Sequence, residues 1–142
     1  MKTAELVETE CRDVAGENMI QLPFGLLGFE RVKNYVLLSR PHEEPFMWLQ
    51  MLGEDNKSFL VISPFRILPN YQPDVSNEDV HFLGLDAPGD AIVLNIVTLN
   101  TAGQATINLK GPVVINRHTL VGKQIIPNNA SKFDLRHPLP LA

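Results

Sequence analysis

The chain has 142 residues, 44% of them hydrophobic and 20% charged, with a formal net charge of -4, values typical of one soluble globular domain. No apolar run reaches the roughly 18 residues of a membrane-spanning helix, and the first residues turn acidic at Glu5 and Glu8, where a signal peptide would be apolar. We therefore expect a single cytoplasmic domain over residues 1–142 that does not associate with membranes, and no disulfide within the chain, because Cys11 is the only cysteine.

Short apolar stretches rich in β-branched and aromatic residues run through the chain, and glycine, proline, asparagine and aspartate interrupt them at close intervals. This pattern predicts strands throughout. In chain order the predicted strands are residues 4–9, 18–22, 35–38, 46–52, 59–63, 71–75, 91–99, 105–109, 112–116 and 123–126.

The longest predicted strand, residues 91–99, is apolar at both alternating sets of positions, so it should be central in the sheet with both faces covered. Residues 105–109 instead alternate apolar and polar side chains, which predicts a strand with one face in water. Residues 100–104, between these two strands, are typical of a hairpin connection.

One segment has helical character. Residues 77–83 follow Ser76, a favourable N-cap, carry Glu78 and Asp79 in the first turn, and end before Gly84. Eleven prolines oppose longer helices. Because closure of a sheet limits its exposed edges, we expect an all-β fold, namely a small closed or partly closed antiparallel β-barrel with one or two short helices.

The reactive side chains do not form a catalytic pattern. The four histidines contain no pair at the i,i+4 spacing of a helical zinc site, and the serines lack the flanking glycines of a nucleophile elbow. Cys11 has no second thiol, and the adjacent Glu43 and Glu44 would point to opposite faces of a strand. We therefore expect no enzymatic activity, no metal and no cofactor.

Two glycine-containing segments match phosphate-binding loops only in part. Before Gly122 and Lys123, the first glycine of a P-loop is replaced by Arg117, and Gln124 stands where that motif has serine or threonine. Residues 25–30 contain two glycines, whose freedom at positive φ predicts a tight turn.

Charge is unevenly distributed along the chain. Between residues 43 and 100, nine acids stand against two bases, whereas from residue 101 onward five bases face one acid. An acidic field repels nucleic acid and attracts basic protein surfaces, so the middle of the chain favours a basic protein partner over direct RNA or DNA binding. A solubilising surface is the alternative explanation for these acids.

Several segments of the chain follow, in order, the pattern of a known protein family. They are Pro-Phe-Gly-Leu-Leu-Gly-Phe-Glu at 23–30 with Tyr-Val-Leu-Leu at 35–38, Phe-Leu-Val-Ile-Ser-Pro-Phe at 59–65, and residues 109–116, 122–126 and 136–139. Together they resemble the FliW family of flagellar assembly factors, and the resemblance spans residues 18–139. Each motif alone is explained by turn chemistry, but their collinear order is specific.

The resemblance implies a non-catalytic regulator with two protein partners and no small-molecule substrate. Proteins of this family bind CsrA, a small RNA-binding translational repressor, and relieve its repression of flagellin mRNA, while flagellin competes as the second partner. A repressor that holds RNA through a basic surface would be complementary to the acidic middle of this chain.

We therefore predict a partner-binding set within that acidic middle. Its acids would steer or repel a charged partner, and its aromatic side chains would anchor the contact. The predicted acids are Glu43, Glu44, Glu54, Asp55, Glu78 and Asp79, and the predicted anchors are Phe46, Trp48 and Phe82. For the three aromatic residues, burial in the core is the alternative.

Two other functions stay open. A β-barrel of this size can hold a small ligand, although we expect large core side chains to fill it. The basic tail could bind RNA through Arg117, Lys123, Lys132 and Arg136, but the net negative charge and the lack of interleaved aromatic residues disfavour this.

Overall fold

The structure, a computed structural model, describes residues 19–53 and 57–139. Its strands are β1 Met19–Gln21, β2 Asn34–Ser39, β3 Met47–Met51, β4 Ser58–Ile62, β5 Ala91–Leu99, β6 Ala105–Ile107, β7 Val113–Asn116, β8 Gly122–Gln124 and β9 His137–Leu139. Within these ranges one α-helix, α1, spans Asn77–Leu83, and short 3-10 turns lie at Pro41–Glu43, Pro64–Arg66, Pro88–Asp90 and Ala130–Lys132. The strand predicted at residues 4–9 lies outside the described residues.

The nine strands form one antiparallel sheet that curls toward closure. Strands β1 to β5 are successive neighbours, and β5 then pairs with β7 through its first half and with β6 through its second half. Strand β8 lies beside β7, and a bridge between Gln21 and Val121 returns to β1, where the Gln21 N–H donates to the Leu120 carbonyl (3.0 Å). This confirms the expected all-β fold and shows that the barrel is partly closed.

The inside of this ring of strands is filled by apolar side chains, each no more than 6% exposed. They come from alternate positions on the strands and from the turn after β1, as the two-residue period of a strand requires. They are Ile20, Leu22, Leu26, Tyr35, Leu37, Met47, Leu49, Met51, Val61, Ile92, Leu94, Val113 and Ile115.

Strand β5 is covered on both faces, as predicted. Ile92 and Leu94 point into the barrel. On the opposite face, Val93 packs with the residues around α1, and Val97 belongs to a second buried cluster that includes Ile107 of β6. The strand is therefore central, and its apolar character is explained by packing.

Helix α1 packs on the outside of the barrel, where Leu83 forms a small buried cluster with Val114 and Ile125. The Ser76 Oγ accepts a hydrogen bond from the Asp79 N–H (3.1 Å) at the start of the helix, and Gly84 ends it in the left-handed conformation (φ 69°). The predicted bounds, N-cap and end of this helix are confirmed. In the part of the chain that the structure describes, no helix is long and apolar enough to cross a membrane.

The prediction of a strand at residues 71–75 is wrong. The segment is held by residues 128 and 129 instead of a neighbouring strand: the Asp74 N–H donates to Asn129 Oδ1 (2.8 Å), Asn129 Nδ2 donates to the Gln72 carbonyl (3.0 Å), and the Asn128 N–H donates to the Asp74 carbonyl (2.8 Å). Pro73 has no N–H, so a continuous ladder of backbone hydrogen bonds cannot form through it. The amide of Asn129 takes the place of a strand partner.

Strand β9 was not predicted from the sequence. It pairs with β6 at one end of the sheet, with Pro138 opposite Thr106. A proline in so short an apolar stretch disfavours a strand in sequence analysis, although an edge position tolerates it. The other predicted strands that lie in the described residues are confirmed within two residues at each end, as is the hairpin at residues 100–104, where Asn100 Oδ1 accepts from the Gln104 N–H (2.9 Å).

The predicted tight turn at residues 25–30 is also confirmed, with Gly25 at φ 67° and Gly28 at φ 88°. A Cβ atom on Gly25 would lie 2.6 Å from the Cα of Glu30, so this glycine is required both by its φ and by the close approach of the chain. The turn leaves Phe24 and Leu27 exposed at the surface, with 55% and 62% of their area accessible.

Candidate protein-binding surface

The first group of predicted residues lies around the turn Pro41–Glu43 and the start of β3. Glu43 Oε1 accepts a hydrogen bond from the Trp48 indole N–H (3.0 Å) and lies 3.8 Å from Nη1 of Arg40. Both Glu43 and Trp48 are half-buried. The carboxylate of Glu43 therefore orients the indole, and the nearby guanidinium offsets part of its charge.

Glu44 and Phe46 follow in the same segment but have different surroundings. Glu44 is exposed. Phe46 is half-buried and packs against the second buried cluster, which contains Ile62 and Val97. Of this group, Glu44 presents its charge to solvent, whereas Phe46 contributes mainly to packing.

The second group of predicted residues lies on α1. Glu78 is exposed, but Asp79 is buried, and its Oδ1 lies 2.6 Å from Nζ of Lys123 on β8. Phe82 is 41% exposed. The helix therefore offers one free carboxylate and one accessible ring, while the charge of Asp79 is balanced inside the protein.

Phe82 belongs to a group of side chains, here called the ring cluster, formed by the exposed Phe24 and Phe82, the half-buried Lys123 and the buried Asp79. The Phe24 and Phe82 ring centroids are 5.2 Å apart. The Lys123 Nζ lies 5.2 Å from the centroid of Phe24 and 6.0 Å from that of Phe82, between the rings and the carboxylate of Asp79. Aromatic pairs and cation–π contacts of this kind each contribute about 0.5 to 1.5 kcal/mol. The rings are thus held in place at the surface, as anchoring residues of protein interfaces are.

Sequence analysis missed two members of the ring cluster. Phe24 was named only within the family motif at 23–30, and Lys123 within the predicted strand 123–126, the family motif at 122–126, the failed P-loop match and the basic tail. The local sequence contains one indication that Phe24 is exposed, namely its position between Pro23 and Gly25, because side chains in a tight turn point toward solvent. The meeting of Phe24, Phe82 and Lys123 depends on three separate segments, which no spacing in the sequence reveals.

Asn116, at the end of β7, fixes the helix to the barrel. Its Nδ2 donates to the Leu83 carbonyl (2.8 Å), and its Oδ1 accepts from the His118 and Thr119 N–H groups (2.8 and 3.3 Å). One buried side chain therefore joins the end of α1 to the turn between β7 and β8.

Asp90 makes a second connection to the same turn. Its Oδ1 lies 3.0 Å from His118 Nε2, and its Oδ2 accepts from the Ala87 and Asp86 N–H groups (2.9 and 3.0 Å). The hydrogen bond with His118, followed by that from the Ala87 backbone, lowers the pKa of Asp90 below its ordinary value. The residues after α1 are thereby fixed against the turn between β7 and β8.

The described residues leave a limited set of exposed acids in the middle of the chain, namely Glu44, Asp74, Glu78 and Asp86. The predicted Glu54 and Asp55 lie outside the described residues. Within residues 19–53 and 57–139, no group of three or more histidine, cysteine or acidic side chains could hold a metal ion. The arrangement provides charge and apolar contact area at the surface.

The fold and this surface define a class of protein: a small, partly closed antiparallel β-barrel with a short helix packed on its outside and exposed phenyl rings and carboxylates beside that helix.

Comparison with known proteins then identifies the family. The family described as FliW protein matches residues 3–139. The flagellar assembly factor FliW of Leptospira biflexa is 39% identical over 116 residues, which cover 80% of this chain and 75% of that protein. The flagellar assembly factor FliW of Clostridium beijerinckii is 35% identical over 124 residues, 87% of each chain. A crystal structure of the flagellar assembly factor FliW matches with a TM-score of 0.77 at 29% identity over 90% of each chain. The chain belongs to the FliW family.

Proposed function

We propose that this chain is a non-catalytic flagellar assembly factor, a single cytoplasmic domain, that binds CsrA and relieves its repression of flagellin mRNA, with flagellin as the competing partner. The observation that carries the proposal is the family match over residues 3–139, supported by relatives named flagellar assembly factors that cover most of the chain. Partner exchange of this kind requires complementary surfaces and no catalytic group.

The distribution of charge supports a basic partner. Glu44 and Glu78 are exposed, whereas Asp79 is paired with Lys123 and Glu43 is bonded to Trp48. Exposed charges mainly increase the rate at which oppositely charged proteins meet, and salt screens them. We therefore assign electrostatic steering to Glu44 and Glu78.

The ring cluster supports the apolar part of the contact. Phe24 and Phe82 expose 55% and 41% of their area, and their rings are held against each other and against Lys123. Aromatic side chains that are fixed before binding lose little conformational entropy when a partner covers them. We assign the role of anchor to this pair.

The alternative functions receive less support. The inside of the barrel is occupied by side chains no more than 6% exposed, which argues against a ligand held there. Lys123, one of the four basic residues considered for RNA binding, already pairs with Asp79 at 2.6 Å.

Isothermal titration calorimetry with purified CsrA tests the proposal. Replacement of both exposed acids, Glu44→Lys with Glu78→Lys, should weaken binding by about tenfold at low salt, because attraction becomes repulsion. The difference from the natural chain should shrink at high salt, where the Debye length falls to about 3 Å at 1 M. Each acid reversed singly changes the charge by two units, and Asp134→Lys, the same change at an exposed site outside the acidic middle, is the matched control for these single variants.

The outcomes separate the parts of the proposal. Absence of binding between the natural chain and CsrA would contradict the partner assignment. Binding that is indifferent to salt and to both acids would contradict the steering role alone. Gel shifts with flagellin leader RNA add a further check, since binding by this protein without CsrA would support the RNA alternative.

A further inference from the structure

A second surface lies on the other side of α1 from the ring cluster. It is a groove with a volume of about 460 Å³ on the outside of the barrel. Strands β5 and β7 contribute Val93 and Val114, the helix and the residues after it contribute Val80 and Leu85, and the segment 71–75 contributes Val75. The groove is therefore lined mainly by aliphatic side chains.

The charged groups at this groove have one sign. Asp86 is exposed and lines the groove, and Asp74 is exposed between Pro73 and Val75, which both line it. The lining residues include no lysine or arginine. An apolar surface with carboxylates at its rim is complementary to apolar side chains that have positive charges beside them.

The polar groups at the groove do not suit a small polar molecule. Such ligands are usually oriented by several polar groups that converge on them. Here the Tyr71 hydroxyl already donates to the Leu109 carbonyl (2.7 Å), and the Asp86 and Ala87 N–H groups already donate to Asp90. The exposed side chains of Gln72 and Asp86 are the other polar groups of the lining, too few to orient a small polar ligand. The chemistry favours a chain segment that brings aliphatic side chains.

We propose that this groove binds an apolar segment of a protein partner that is flanked by lysine or arginine. The groove is separate from the ring cluster, because Val80 lines it whereas Phe82 contacts Phe24. Residues two positions apart on a helix, as Val80 and Phe82 are, lie about 200° apart around its axis. Helix α1 therefore stands between two binding surfaces, and the inference does not depend on CsrA being the partner.

Both long sides of the groove are fixed by hydrogen bonds. The turn at residues 86–90 is held by the Asp90 carboxylate, and the segment 72–74 is held by the amide of Asn129. A groove that exists before binding requires little ordering when a partner enters it.

Two synthetic peptides with the same leucine and valine core, one flanked by lysines and the other by glutamates, test the proposal by NMR titration. The lysine-flanked peptide should shift the amide signals of Val75, Val80, Leu85 and Ala87 in a saturable way. It should bind about tenfold more tightly than the glutamate-flanked peptide, because the rim carboxylates repel the latter.

Surface variants with matched controls decide the location. Ala87→Arg places a bulky cation in the groove and should reduce binding of the lysine-flanked peptide at least about tenfold, whereas Ala102→Arg, at another exposed alanine in a turn, should leave it unchanged. Asp86→Lys should remove the preference between the peptides, and Asp134→Lys should not.

Equal binding of the two peptides, no binding of either, or shifts confined to other residues would overturn the proposal. The affinity of the same variants for CsrA is measured separately by calorimetry. A variant that loses peptide binding and keeps CsrA binding supports the groove without affecting the proposed function.

Discussion

Two buried tyrosines, Tyr35 and Tyr71, differ in what their hydroxyls contact. Burial raises the pKa of both hydroxyls, so both stay protonated near neutral pH. The Tyr71 hydroxyl donates to the Leu109 carbonyl (2.7 Å) and accepts from Asn95 Nδ2 (3.3 Å). The Tyr35 hydroxyl lies inside the barrel, where the Leu26 backbone is its polar neighbour but does not complete a hydrogen bond of normal geometry.

This difference predicts that the same substitution has unequal effects on stability at the two positions. Tyr71→Phe should lower the free energy of unfolding by about 1 to 3 kcal/mol, because two buried groups lose a partner, whereas Tyr35→Phe should change it by less than about 1 kcal/mol or raise it. Urea denaturation of the two variants measures both values. Equal losses would show that the Tyr35 hydroxyl is bonded in solution.

Gly25 and Gly28 differ in the space available to an added Cβ atom. Both have positive φ, which costs an L-residue about 1 to 2 kcal/mol. A Cβ on Gly25 would also lie 2.6 Å from the backbone of Glu30, whereas one on Gly28 meets nothing within 4 Å. Gly25→Ala should therefore destabilise the protein clearly more than Gly28→Ala in thermal unfolding. Similar losses would indicate that the turn relaxes and that only φ matters.

Among the elements, local chemistry predicted α1 and the central strand well, because their determinants lie next to them in sequence. Ser76 and Gly84 set the ends of the helix, and the apolar residues 91–99 set the burial of β5 on both faces. The segment 71–75 was mispredicted because its partner is the side chain of Asn129, which lies far along the chain. No local pattern contains that contact.

The connection between the 86–90 turn and the β7–β8 turn predicts a dependence of stability on pH. Hydrogen bonds from His118 and Ala87 lower the pKa of Asp90 below its ordinary value of 3.8. A carboxyl with a lowered pKa in the folded state stabilises the protein above the unfolded-state pKa and loses that contribution as the pH falls through the folded-state pKa. The natural chain should therefore be more stable than Asp90→Asn at neutral pH.

The difference in the free energy of unfolding between the natural chain and Asp90→Asn should become smaller as the pH falls below about 3.8. Asp90 then becomes protonated first in the unfolded state and, at lower pH, in the folded state. Chemical denaturation of both chains across this range measures it. Asp134→Asn, at an exposed carboxylate, corrects for general charge effects. A constant difference at all pH values would show that the ionised form of Asp90 has no special role.

The candidate site could be predicted only in part from the sequence. Charge along the chain indicated Glu44 and Glu78, which are exposed, but also Asp79, whose carboxylate faces Lys123. The partner of Asp79 and the ring opposite Phe82 are brought there by the closure of the barrel. Surfaces assembled from the turn after β1, from α1 and from β8 require the three-dimensional fold.

The proposed anchoring role predicts that Phe82→Ala weakens CsrA binding by at least about tenfold, equivalent to 1.4 kcal/mol, because the ring is preorganised and accessible. The free energy of unfolding should fall by about 1 to 2 kcal/mol, because the contacts of the Phe82 ring with Phe24 and Lys123 are lost, so binding is compared at a temperature where both chains are folded. Leu99→Ala, at a residue 56% exposed in the β5–β6 hairpin, is the control and should bind normally. Equal affinities for both variants would remove Phe82 from the interface.

Pro138 in β9 limits how two molecules of this protein can join through the edge of the sheet. Strand β9 ends the described sheet, and a proline fits beside β6 only if its ring nitrogen faces away from that strand. At this position the outer edge therefore offers no N–H donor to an incoming chain. A sheet edge interrupted in this way resists the addition of another strand. At high concentration, molecules of this protein are therefore less prone to form amyloid-like polymers through this edge.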